Sequence, residues 1–488
     1  MREPAGGRTT GIPTGLLIGG VWRDARSGMT FTVADPATGD AVAEVADARP
    51  DDVPDLVEVT ATAFPSWSRT PPRLRAELLR AAFDELSARS EEFARLITLE
   101  MGKPLAESRA EVRYGAEFLR WYAEEAVRVH GMTRTAPDGA AMHLTLQQPV
   151  GPALLVTPWN FPLAMATRKI APALAAGCTV LLKPAEETPL TALLFAELLH
   201  GIGVPPGVVN VVTTSRPGPV VERILADRRI RKLSFTGSTE VGRTLLATAA
   251  AGVVRTSMEL GGNAPFIVYA DADLDAAVEG ATTAKLRNGG QSCVAANRFI
   301  VERPVAAEFV ARLTERLRAQ VTGPGSDPAT TLGPLVNRAQ RDRAVRLVHT
   351  AIAEGAEPVL MDEPEPDSGF LRPVVLNHVP HDAHIAHAEL FAPVAPIYLV
   401  DTEQEALRLA NATEAGLVAF VYSTGADTLL RAATALECGM VGLNRGLVSD
   451  AAAPFGGTKQ SGLGREGGEV GLQEYLETKY VSFPAGSL

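Results

Sequence analysis

The feature that most constrains the fold is an alternation of short apolar segments with helical segments between residues 150 and 250. Buried strands are predicted at residues 153–156, 179–182, 208–212 and 232–235. Helices are predicted after them, at residues 163–175, 190–199, 220–226 and 239–250. This alternation is typical of an α/β fold in which a doubly wound parallel sheet carries helices on both faces. In such a fold a nucleotide binds beyond the carboxyl ends of the strands.

The chain before this alternation predicts β-structure and then helices. Residues 16–45 alternate short apolar runs with turn signals, which is typical of strands. Apolar residues at helical spacing predict helices at residues 51–66, 71–87, 90–101 and about 104–127. The last helix carries aromatic residues on one face, which we expect in the core or in a subunit interface: Tyr114, Phe118, Trp121 and Tyr122. Residues 141–148 alternate as a strand suited to a sheet edge, because Pro149 limits its continuation.

Composition places the chain among ordinary globular proteins. Its 488 residues are 46% hydrophobic and 21% charged, which suffices for two or three domains with full cores. The net charge is −11, and no cluster of Lys and Arg dominates any stretch, so we expect no nucleic-acid partner. No apolar run reaches the roughly 18 residues that a membrane span requires, so we expect no membrane partner.

Cysteine usage and the N-terminal residues bear on the compartment. Cys178, Cys293 and Cys438 are too few and too widely spaced for a disulfide framework or a zinc site. This spacing favours a reducing, cytoplasmic compartment and implies no metal. Residues 1–15 contain no apolar run, so we expect a frayed arm rather than a signal peptide.

Two groups of residues lie at predicted strand ends where a dinucleotide would bind. Lys183 and Glu186 follow the second strand, where a cation and a carboxylate can hold ribose hydroxyls. Gly237 and Ser238 follow the fourth strand, where free amides at a helix start can receive a pyrophosphate. The G-x-G-x-x-G fingerprint is absent from this stretch, and a capped helix that binds no ligand explains these residues equally well.

A single cysteine on a glycine-rich turn is the best candidate for a nucleophile. Residues 288–293 read Asn-Gly-Gly-Gln-Ser-Cys, so small and polar residues flank Cys293. Two glycines let the backbone approach a substrate closely, and nearby amides can receive a developing oxyanion. A buried structural cysteine is the alternative, since free cysteines are usually buried.

Six motifs in a fixed order resemble those of the NAD(P)-dependent aldehyde dehydrogenase superfamily. They are Thr-Pro-Trp-Asn-Phe-Pro at 157–162, Lys-Pro-Ala-Glu at 183–186, Phe-Thr-Gly-Ser at 235–238, Glu-Leu-Gly-Gly-Asn at 259–263, Gly-Gln-Ser-Cys at 290–293 and Pro-Phe-Gly-Gly at 454–457. The similarity covers about residues 16–484.

The resemblance implies catalytic roles. Cys293 corresponds to the nucleophile that forms a thiohemiacetal and then a thioester. Asn160 and the Cys293 amide correspond to the oxyanion hole, and Glu259 to the general base for deacylation. Cofactor contacts are implied for Trp159, Lys183, Glu186, Gly237, Ser238, Glu389 and Phe391. Because a carboxylate at Glu186 repels a 2′-phosphate, we expect NAD rather than NADP as the cofactor.

Within the superfamily the chain most resembles succinate-semialdehyde dehydrogenases. Arg168 and Arg287 correspond to the pair that binds the far carboxylate of the substrate there, a task that suits the guanidinium fork. Asp450 occupies a position where relatives have Ser or Asn near that carboxylate, and an acid there disfavours an anion. The alternative substrates are therefore glutarate semialdehyde and a phosphono- or amino-aldehyde. Two other classes stay open: a non-catalytic relative, against which Cys293, Glu259 and Asn160 speak, and a coenzyme A-acylating enzyme, which would lack the general base that Glu259 provides.

Two further positions depart from the family pattern. Ala295 replaces a second cysteine that forms a redox-switch disulfide in many relatives, so we expect no such switch. Ala392 replaces a glycine in the motif that carries Glu389, and we expect this turn to shift if it requires a glycine conformation.

The resemblance also implies a domain organisation. The NAD-binding domain is expected at residues 1–130 and 149–261, and the catalytic domain at residues 262–460. A small β oligomerisation element with the C-terminal tail is expected at residues 131–148 and 461–488, completing a sheet across subunits. A homodimer or homotetramer follows from this arrangement.

Overall fold

The structure is a computed structural model that describes residues 11–364 and 368–485. Most of the arm predicted for residues 1–15 therefore lies outside the described residues. Within the described ranges, no helix combines the length and the apolar composition needed to cross a membrane.

The N-terminal part of the chain forms the strands and helices that the sequence predicted. The strands are β1 (Leu16–Ile18), β2 (Val21–Arg23), β3 (Thr30–Ala34) and β4 (Ala41–Ala46). After a short 3-10 helix (Pro50–Asp52), the helices are α1 (Val53–Trp67), α2 (Pro72–Ala88), α3 (Ser90–Met101) and α4 (Leu105–Glu125). Strands β5 (Thr133–Thr135) and β6 (Ala141–Pro149) follow.

The predicted alternation builds most of an eight-stranded sheet. Its elements are β7 (Ala153–Val156), α5 (Pro162–Ala176), β8 (Val180–Lys183), α6 (Leu190–Gly201), β9 (Val209–Val211), α7 (Pro217–Leu225), β10 (Lys232–Thr236), α8 (Thr239–Ala251) and β11 (Arg255–Glu259). The central order β9-β8-β7-β10-β11 is parallel throughout. Strand β1 pairs antiparallel with β9 at one side. The sequence did not predict β11, which closes the parallel part and ends at Glu259.

Alternate residues of this sheet enter two separate cores, as expected of a sheet covered on both faces. Leu155 packs in a core with helices α2 to α6, whereas Leu154 packs in a core with helices α1, α7 and α8. The prediction of helices on both faces is therefore confirmed.

A second, seven-stranded sheet follows. This part of the chain contains β12 (Ala264–Val268), α9 (Leu274–Leu286), β13 (Ala296–Glu302), α10 (Arg303–Arg318), α11 (Arg338–Ala353), β14 (Glu357–Leu360), β15 (Val374–Asn377), β16 (Val394–Val400), α12 (Glu403–Asn411), β17 (Ala415–Gly416), β18 (Val418–Tyr422), α13 (Ala426–Ala435) and β19 (Met440–Leu443). Of these strands, β17 lies outside the seven-stranded sheet. The strand order is β14-β15-β16-β13-β12-β18-β19, and β14 alone pairs antiparallel. Short 3-10 helices lie at Arg287–Gly290 and His384–Ala386.

The C-terminal segment connects these parts. It contains β20 (Thr458–Lys459), β21 (Gly462–Leu463), α14 (Gly468–Gln473) and β22 (Leu476–Pro484). Strand β21 pairs antiparallel with β11, and β20 pairs with β17. Strand β22 pairs with β6 along nine residues, from Leu476↔Pro149 to Pro484↔Ala141. Because β5 pairs with the other side of β6, that strand is central in a three-stranded sheet rather than an edge strand, which corrects the sequence prediction.

Candidate active site

A cavity of about 370 Å³ lies at the carboxyl ends of β7, β10 and β11. Loops from the second sheet close it, including the loop before β13 and the turn before β16. Nine of the thirteen predicted site residues line the cavity: Trp159, Asn160, Arg168, Gly237, Ser238, Arg287, Cys293, Glu389 and Phe391. The other four, Lys183, Glu186, Glu259 and Asp450, lie outside its lining.

The loop that carries Cys293 needs the residues found in the sequence. Asn288, Gly289 and Gly290 all adopt left-handed conformations, with φ of 56°, 62° and 77°. A β-carbon on Gly290 would lie 2.3 Å from the carbonyl oxygen of Ala392, so only glycine fits there. Asn288 Nδ2 donates to the Gln291 carbonyl at 3.0 Å, and Gln291 Oε1 accepts from Val336 N at 2.9 Å. These bonds fix the loop before Cys293.

The half-buried Cys293 thiol lies between opposite charges. Burial raises its pKa to about 12, Arg168 and Arg287 lower it, and Glu389 and Glu259 raise it. This raised pKa favours the neutral thiol at pH 7, so formation of the nucleophilic thiolate requires a proton acceptor.

Asn160 follows β7 and is fixed from both sides. Its Nδ2 donates to the Gln291 carbonyl at 3.1 Å, two residues before Cys293. Its own carbonyl accepts from Lys103 Nζ at 2.7 Å and from Asn288 Nδ2 at 2.8 Å. An amide donor is thus held beside the nucleophile loop, where an oxyanion would develop.

Glu259 is the last residue of β11 and is 2% exposed. Neither carboxylate oxygen has a hydrogen-bond partner among the described residues. Burial raises its pKa well above the usual value; Glu466 raises it further, whereas Lys169 and Arg168 lower it. A buried carboxyl group with a raised pKa suits a general base that works near neutral pH. Glu259 raises the pKa of Cys293 although it lies outside the cavity lining.

Two arginines form the far end of the cavity. Arg168 is 2% exposed, donates to the Tyr114 hydroxyl, and has its guanidinium 4.1 Å from the Phe455 ring centroid. Arg287 donates to Ser449 Oγ at 3.3 Å. Both guanidinium carbons lie 5.6 Å from the centroid of the Tyr114 ring. The arginines thus converge on one aromatic side chain.

The opposite end of the cavity is aromatic and acidic. The rings of Trp159 and Phe391 meet edge to face, with centroids 5.5 Å apart. Glu389 Oε1 accepts from Gly262 N at 3.0 Å. Burial raises the pKa of Glu389 to about 7, whereas the Gly262 amide and Arg343 lower it. Phe391, not Ala392, adopts the left-handed conformation in this turn, with φ of 52°, so the Ala at 392 does not disturb it.

Of the two predicted groups at the strand ends, Gly237 and Ser238 line the cavity, whereas Lys183 and Glu186 lie outside its lining. Ser238 caps α8, since its Oγ accepts from Val241 N at 3.3 Å, and it also lines the cavity. Lys183, at the end of β8, is buried, and its Nζ lies 3.0 Å from Glu186 Oε2. This pair lies at the same edge of the sheet as the cavity, beside β7.

Comparison with known proteins decides the family. The sequence profile of the aldehyde dehydrogenase family matches residues 22–481. The chain belongs to the aldehyde dehydrogenase family.

This aldehyde dehydrogenase is 55% identical to the succinate-semialdehyde dehydrogenase of Paenarthrobacter nicotinovorans, over 90% of this chain and 98% of that protein. Identity is 43% to the succinate-semialdehyde dehydrogenase of Escherichia coli, whose name specifies NADP(+), over 95% and 96% of the two chains. It is also 43% to the glutarate-semialdehyde dehydrogenase of Pseudomonas putida, over 95% and 96%. The crystal structure of a succinate-semialdehyde dehydrogenase from Burkholderia pseudomallei superposes with a TM-score of 0.95 at 43% identity, covering 99% of each chain. The predicted superfamily and fold class are confirmed.

The structure of this aldehyde dehydrogenase places Asp450 away from the arginines. Asp450 is exposed, its Oδ1 accepts from Ala452 N at 2.9 Å, and it lines a neighbouring hollow that shares Tyr114 and Ser449 with the cavity. Arg445 lies five residues before Asp450 in the same loop, and within the described ranges these two side chains form no ion pair. Ser449, one residue earlier, makes the contact with Arg287.

Several residues of the aldehyde dehydrogenase site were missed. Tyr114 belongs to the aromatic stripe that we expected in the core or an interface, yet it lines the cavity. Glu466 lies 3.7 Å from Arg168 NH1 and 2.5 Å from Lys169 Nζ, and no sequence motif signals it. Gln340 and Arg343 of α11 also line the cavity. Among the described residues there is no cluster of three or more His, Cys, Asp or Glu side chains able to hold a metal ion.

Proposed function

We propose that this aldehyde dehydrogenase oxidises succinate semialdehyde to succinate with NAD, through a thiohemiacetal and a thioester on Cys293. The observation that supports this substrate is the convergence of Arg168 and Arg287 on Tyr114 in the cavity that also contains Cys293. A short aldehyde with a far carboxylate matches a nucleophile at one point and a pair of guanidinium groups at another.

The two arginines differ in how much of their charge is already compensated. Arg168 lies 3.7 Å from the Glu466 carboxylate and donates to Tyr114. Among the described residues Arg287 forms no ion pair: it donates to the neutral Ser449 hydroxyl, lies near the rings of Phe161 and Tyr114, and interacts only at longer range with the Glu107 carboxylate. Arg287 is therefore the main charge partner of the substrate carboxylate, and Arg168 supports it with a fixed, buried charge.

The cofactor fits the other end of the cavity. Trp159 and Phe391 offer an aromatic slot, and Gly261 leaves room that a β-carbon would fill, 2.7 Å from Glu389 Oε2. Glu389 would hold ribose hydroxyls beside the slot, and Ser238 and Gly237 would face the pyrophosphate at the start of α8. When bound there, the nicotinamide ring supplies the acceptor for the hydride of the aldehyde.

The residues of the chain carry the remaining steps. Cys293 Sγ gives its proton to a solvent water molecule and bonds to the aldehyde carbon. The oxyanion that forms receives hydrogen bonds from Asn160 Nδ2 and the Cys293 amide. Loss of the hydride leaves a thioester on Sγ. Glu259 takes a proton from water, whose oxygen attacks the thioester carbon, so that the C–S bond breaks and succinate leaves.

NAD rather than NADP is the proposed cofactor because of Glu186. Its carboxylate, held 3.0 Å from Lys183 Nζ, would accept from the 2′-hydroxyl of the adenine ribose and repel a 2′-phosphate. Because the name of the Escherichia coli relative specifies NADP(+), the preference of this protein for NAD has to be measured directly.

The remaining predictions are part of the same proposal. We assign the cofactor domain to residues 1–130 and 149–261, the catalytic domain to residues 262–460, and the oligomerisation element to residues 131–148 and 461–488. Strands β5 and β22 each leave one edge of the small sheet open, which supports a homodimer or homotetramer formed by strand pairing. The three free cysteines support a cytoplasmic location.

One experiment tests the function. The protein is assayed with succinate semialdehyde, glutarate semialdehyde, butanal and an amino-aldehyde, each with NAD and with NADP and without coenzyme A. We expect the highest kcat/KM with succinate semialdehyde and NAD. A higher kcat/KM with glutarate semialdehyde would show that the proposed substrate is wrong. A strict need for coenzyme A would show that the enzyme transfers the acyl group to coenzyme A instead of hydrolysing the thioester.

A further inference from the structure

A buried ion pair lies next to the candidate active site without lining the cavity. Lys103 Nζ and Glu111 Oε2 are 2.5 Å apart, and the two side chains are 1% and 0% exposed. Lys103 precedes α4, and Glu111 lies in its second turn. Such a pair is expensive to bury, because each charge loses its hydration, and apolar side chains often replace it without loss of stability. Its contacts therefore indicate what it does.

The ammonium group of Lys103 reaches the proposed oxyanion donor. It donates to the Asn160 carbonyl at 2.7 Å and lies 4.0 Å from the centroid of the Phe161 ring. Asn288 Nδ2 donates to the same carbonyl at 2.8 Å. The peptide after Asn160 is thus clamped between the α4 region and the nucleophile loop.

The carboxylate of Glu111 holds the beginning of α5. Its Oε1 accepts from Leu163 N at 3.0 Å and from Ala164 N at 3.2 Å, two of the amides that a helix leaves free in its first turn. Arg168, the buried arginine at the substrate end, lies in the second turn of this helix. Among the described residues, the side-chain hydrogen bonds that the pair makes outside itself therefore end on residues 160–164.

We infer that Lys103 and Glu111 are positioning residues that fix residues 160–164, and thereby aim Asn160 Nδ2 at the oxyanion and Arg168 at the substrate. The inference rests on the proposed role of Asn160 in the reaction. Neither residue touches substrate or cofactor, so its effect passes through the geometry of Asn160 and α5. A displacement of about 1 Å at an oriented catalytic group can lower the rate by roughly 100-fold.

The test compares two buried lysines. Lys103→Met removes the ammonium group that contacts Asn160. Lys232→Met removes a side chain that is likewise 0% exposed, pairs with Glu474 at 3.3 Å and contacts Ser257, but lies at the far end of β10 from the cavity. Both variants should lose thermal stability. Only Lys103→Met should lower kcat, by about 10- to 100-fold, while the Kd for NAD stays within about twofold.

A second measurement identifies which step of the reaction is slowed, and a loss of stability alone would not change this result. In a rapid-mixing experiment, Lys103→Met should slow the NADH burst, which reports thiohemiacetal formation and hydride loss, rather than convert the time course into a fast burst with a slow steady state. If Lys103→Met does not fold, Glu111→Gln, which keeps an acceptor for the α5 amides, is measured in the same way. Equal kcat values for the Lys103→Met and Lys232→Met variants, or for Glu111→Gln and the unmodified protein, would overturn the inference.

Asn160→Ala separates this inference from the proposed function. If Asn160→Ala leaves kcat unchanged, the oxyanion role of Asn160 is wrong. The proposed function then fails at this residue, and Lys103 and Glu111 cannot act by positioning it. If Asn160→Ala lowers kcat by about 100-fold but Lys103→Met does not, the oxyanion role stands and only the positioning role is wrong.

Discussion

At the proposed substrate end of the cavity, the Arg168 side chain is 2% exposed and lies among aromatic rings and the Glu466 carboxylate. At the proposed cofactor end, Glu186 lies outside the cavity lining and keeps 38% of its side chain exposed. A short semialdehyde offers little surface to bury, so its recognition depends on charges that are in place before it binds. A dinucleotide brings a large surface and binds well to an open groove with a few polar groups. The proposed substrate end is thus buried and charged, whereas the proposed ribose contact at Glu186 is open to solvent.

The largest effect on kcat should come from removing the Cys293 sulfur, because the proposed reaction between substrate and cofactor takes place on this atom. Cys293→Ala removes the nucleophile, so kcat should fall by roughly 10⁴-fold or more, while NAD binding, measured by fluorescence titration, stays unchanged. Cys438→Ala is the matched control, because Cys438 is also half-buried but lies outside the cavity. A kcat of Cys293→Ala within about tenfold of that of the unmodified enzyme would contradict the covalent mechanism.

Glu259→Gln should separate the two halves of the reaction. Acylation should continue and hydrolysis stall, giving one NADH per active site in a burst followed by a steady state lower by roughly 100- to 10,000-fold. Because burial raises the pKa of Glu259 well above its usual value, the unmodified enzyme should lose kcat as the pH falls through that raised pKa. A pH profile that is the same in both proteins would assign the base to another group.

Removing the positive charge of Arg287 should weaken binding only of aldehydes that carry a carboxylate. Arg287→Gln should raise KM for succinate semialdehyde by roughly 10- to 150-fold, the equivalent of about 1.5–3 kcal/mol for a charge-assisted hydrogen bond, and leave KM for butanal nearly unchanged. Arg445→Gln, on the exposed part of the loop before Ser449, is the control. An equal rise in KM for both aldehydes would show that Arg287 shapes the cavity without recognising charge.

At the open cofactor end the effect should be smaller. Glu186→Ser should raise the ratio of kcat/KM for NADP to that for NAD by about tenfold, because a carboxylate no longer faces the 2′-phosphate. Glu187→Ser, at the next residue, controls for a general change of charge and should leave the ratio unchanged. The same shift in both variants would place the ribose elsewhere.

The smallest effect is expected at Asp450. Since its carboxylate is exposed and bonded to the Ala452 amide, Asp450→Asn should change KM for succinate semialdehyde by less than about twofold. A fall of fivefold or more would mean that Asp450 turns into the cavity and opposes the substrate, as the sequence suggested.

Local patterns explain why most of the fold was predictable. Strand and helix periods located the parallel sheet and its two layers of helices, because each element is defined by neighbours within a few residues. The strand β11 was missed, since its polar residues Arg255, Thr256 and Ser257 hide the apolar pattern. Its place in the sheet comes from pairing with β10 and β21, which no local pattern reports.

The site was predictable where motifs exist and unpredictable where distant segments meet. Glu466 reaches Lys169 across 297 residues, and only the folded chain brings them together. Tyr114 lies on a stripe whose spacing gives one helix face but not what that face contacts. Ser449 and Asp450 are adjacent in a loop, where no period tells which of the two points inward.

The pairing of β21 with β11 has a consequence for the timing of synthesis. Glu259 lies opposite Gly462, which the ribosome adds about 200 residues later, roughly 10–40 s at usual elongation rates. Until then β11 has an open edge, and Lys169 lacks its partner Glu466. A nascent chain that ends at Asp450 therefore contains every residue of the proposed site but lacks two supports: the strand that pairs with β11 beside Glu259, and the carboxylate that pairs with Lys169.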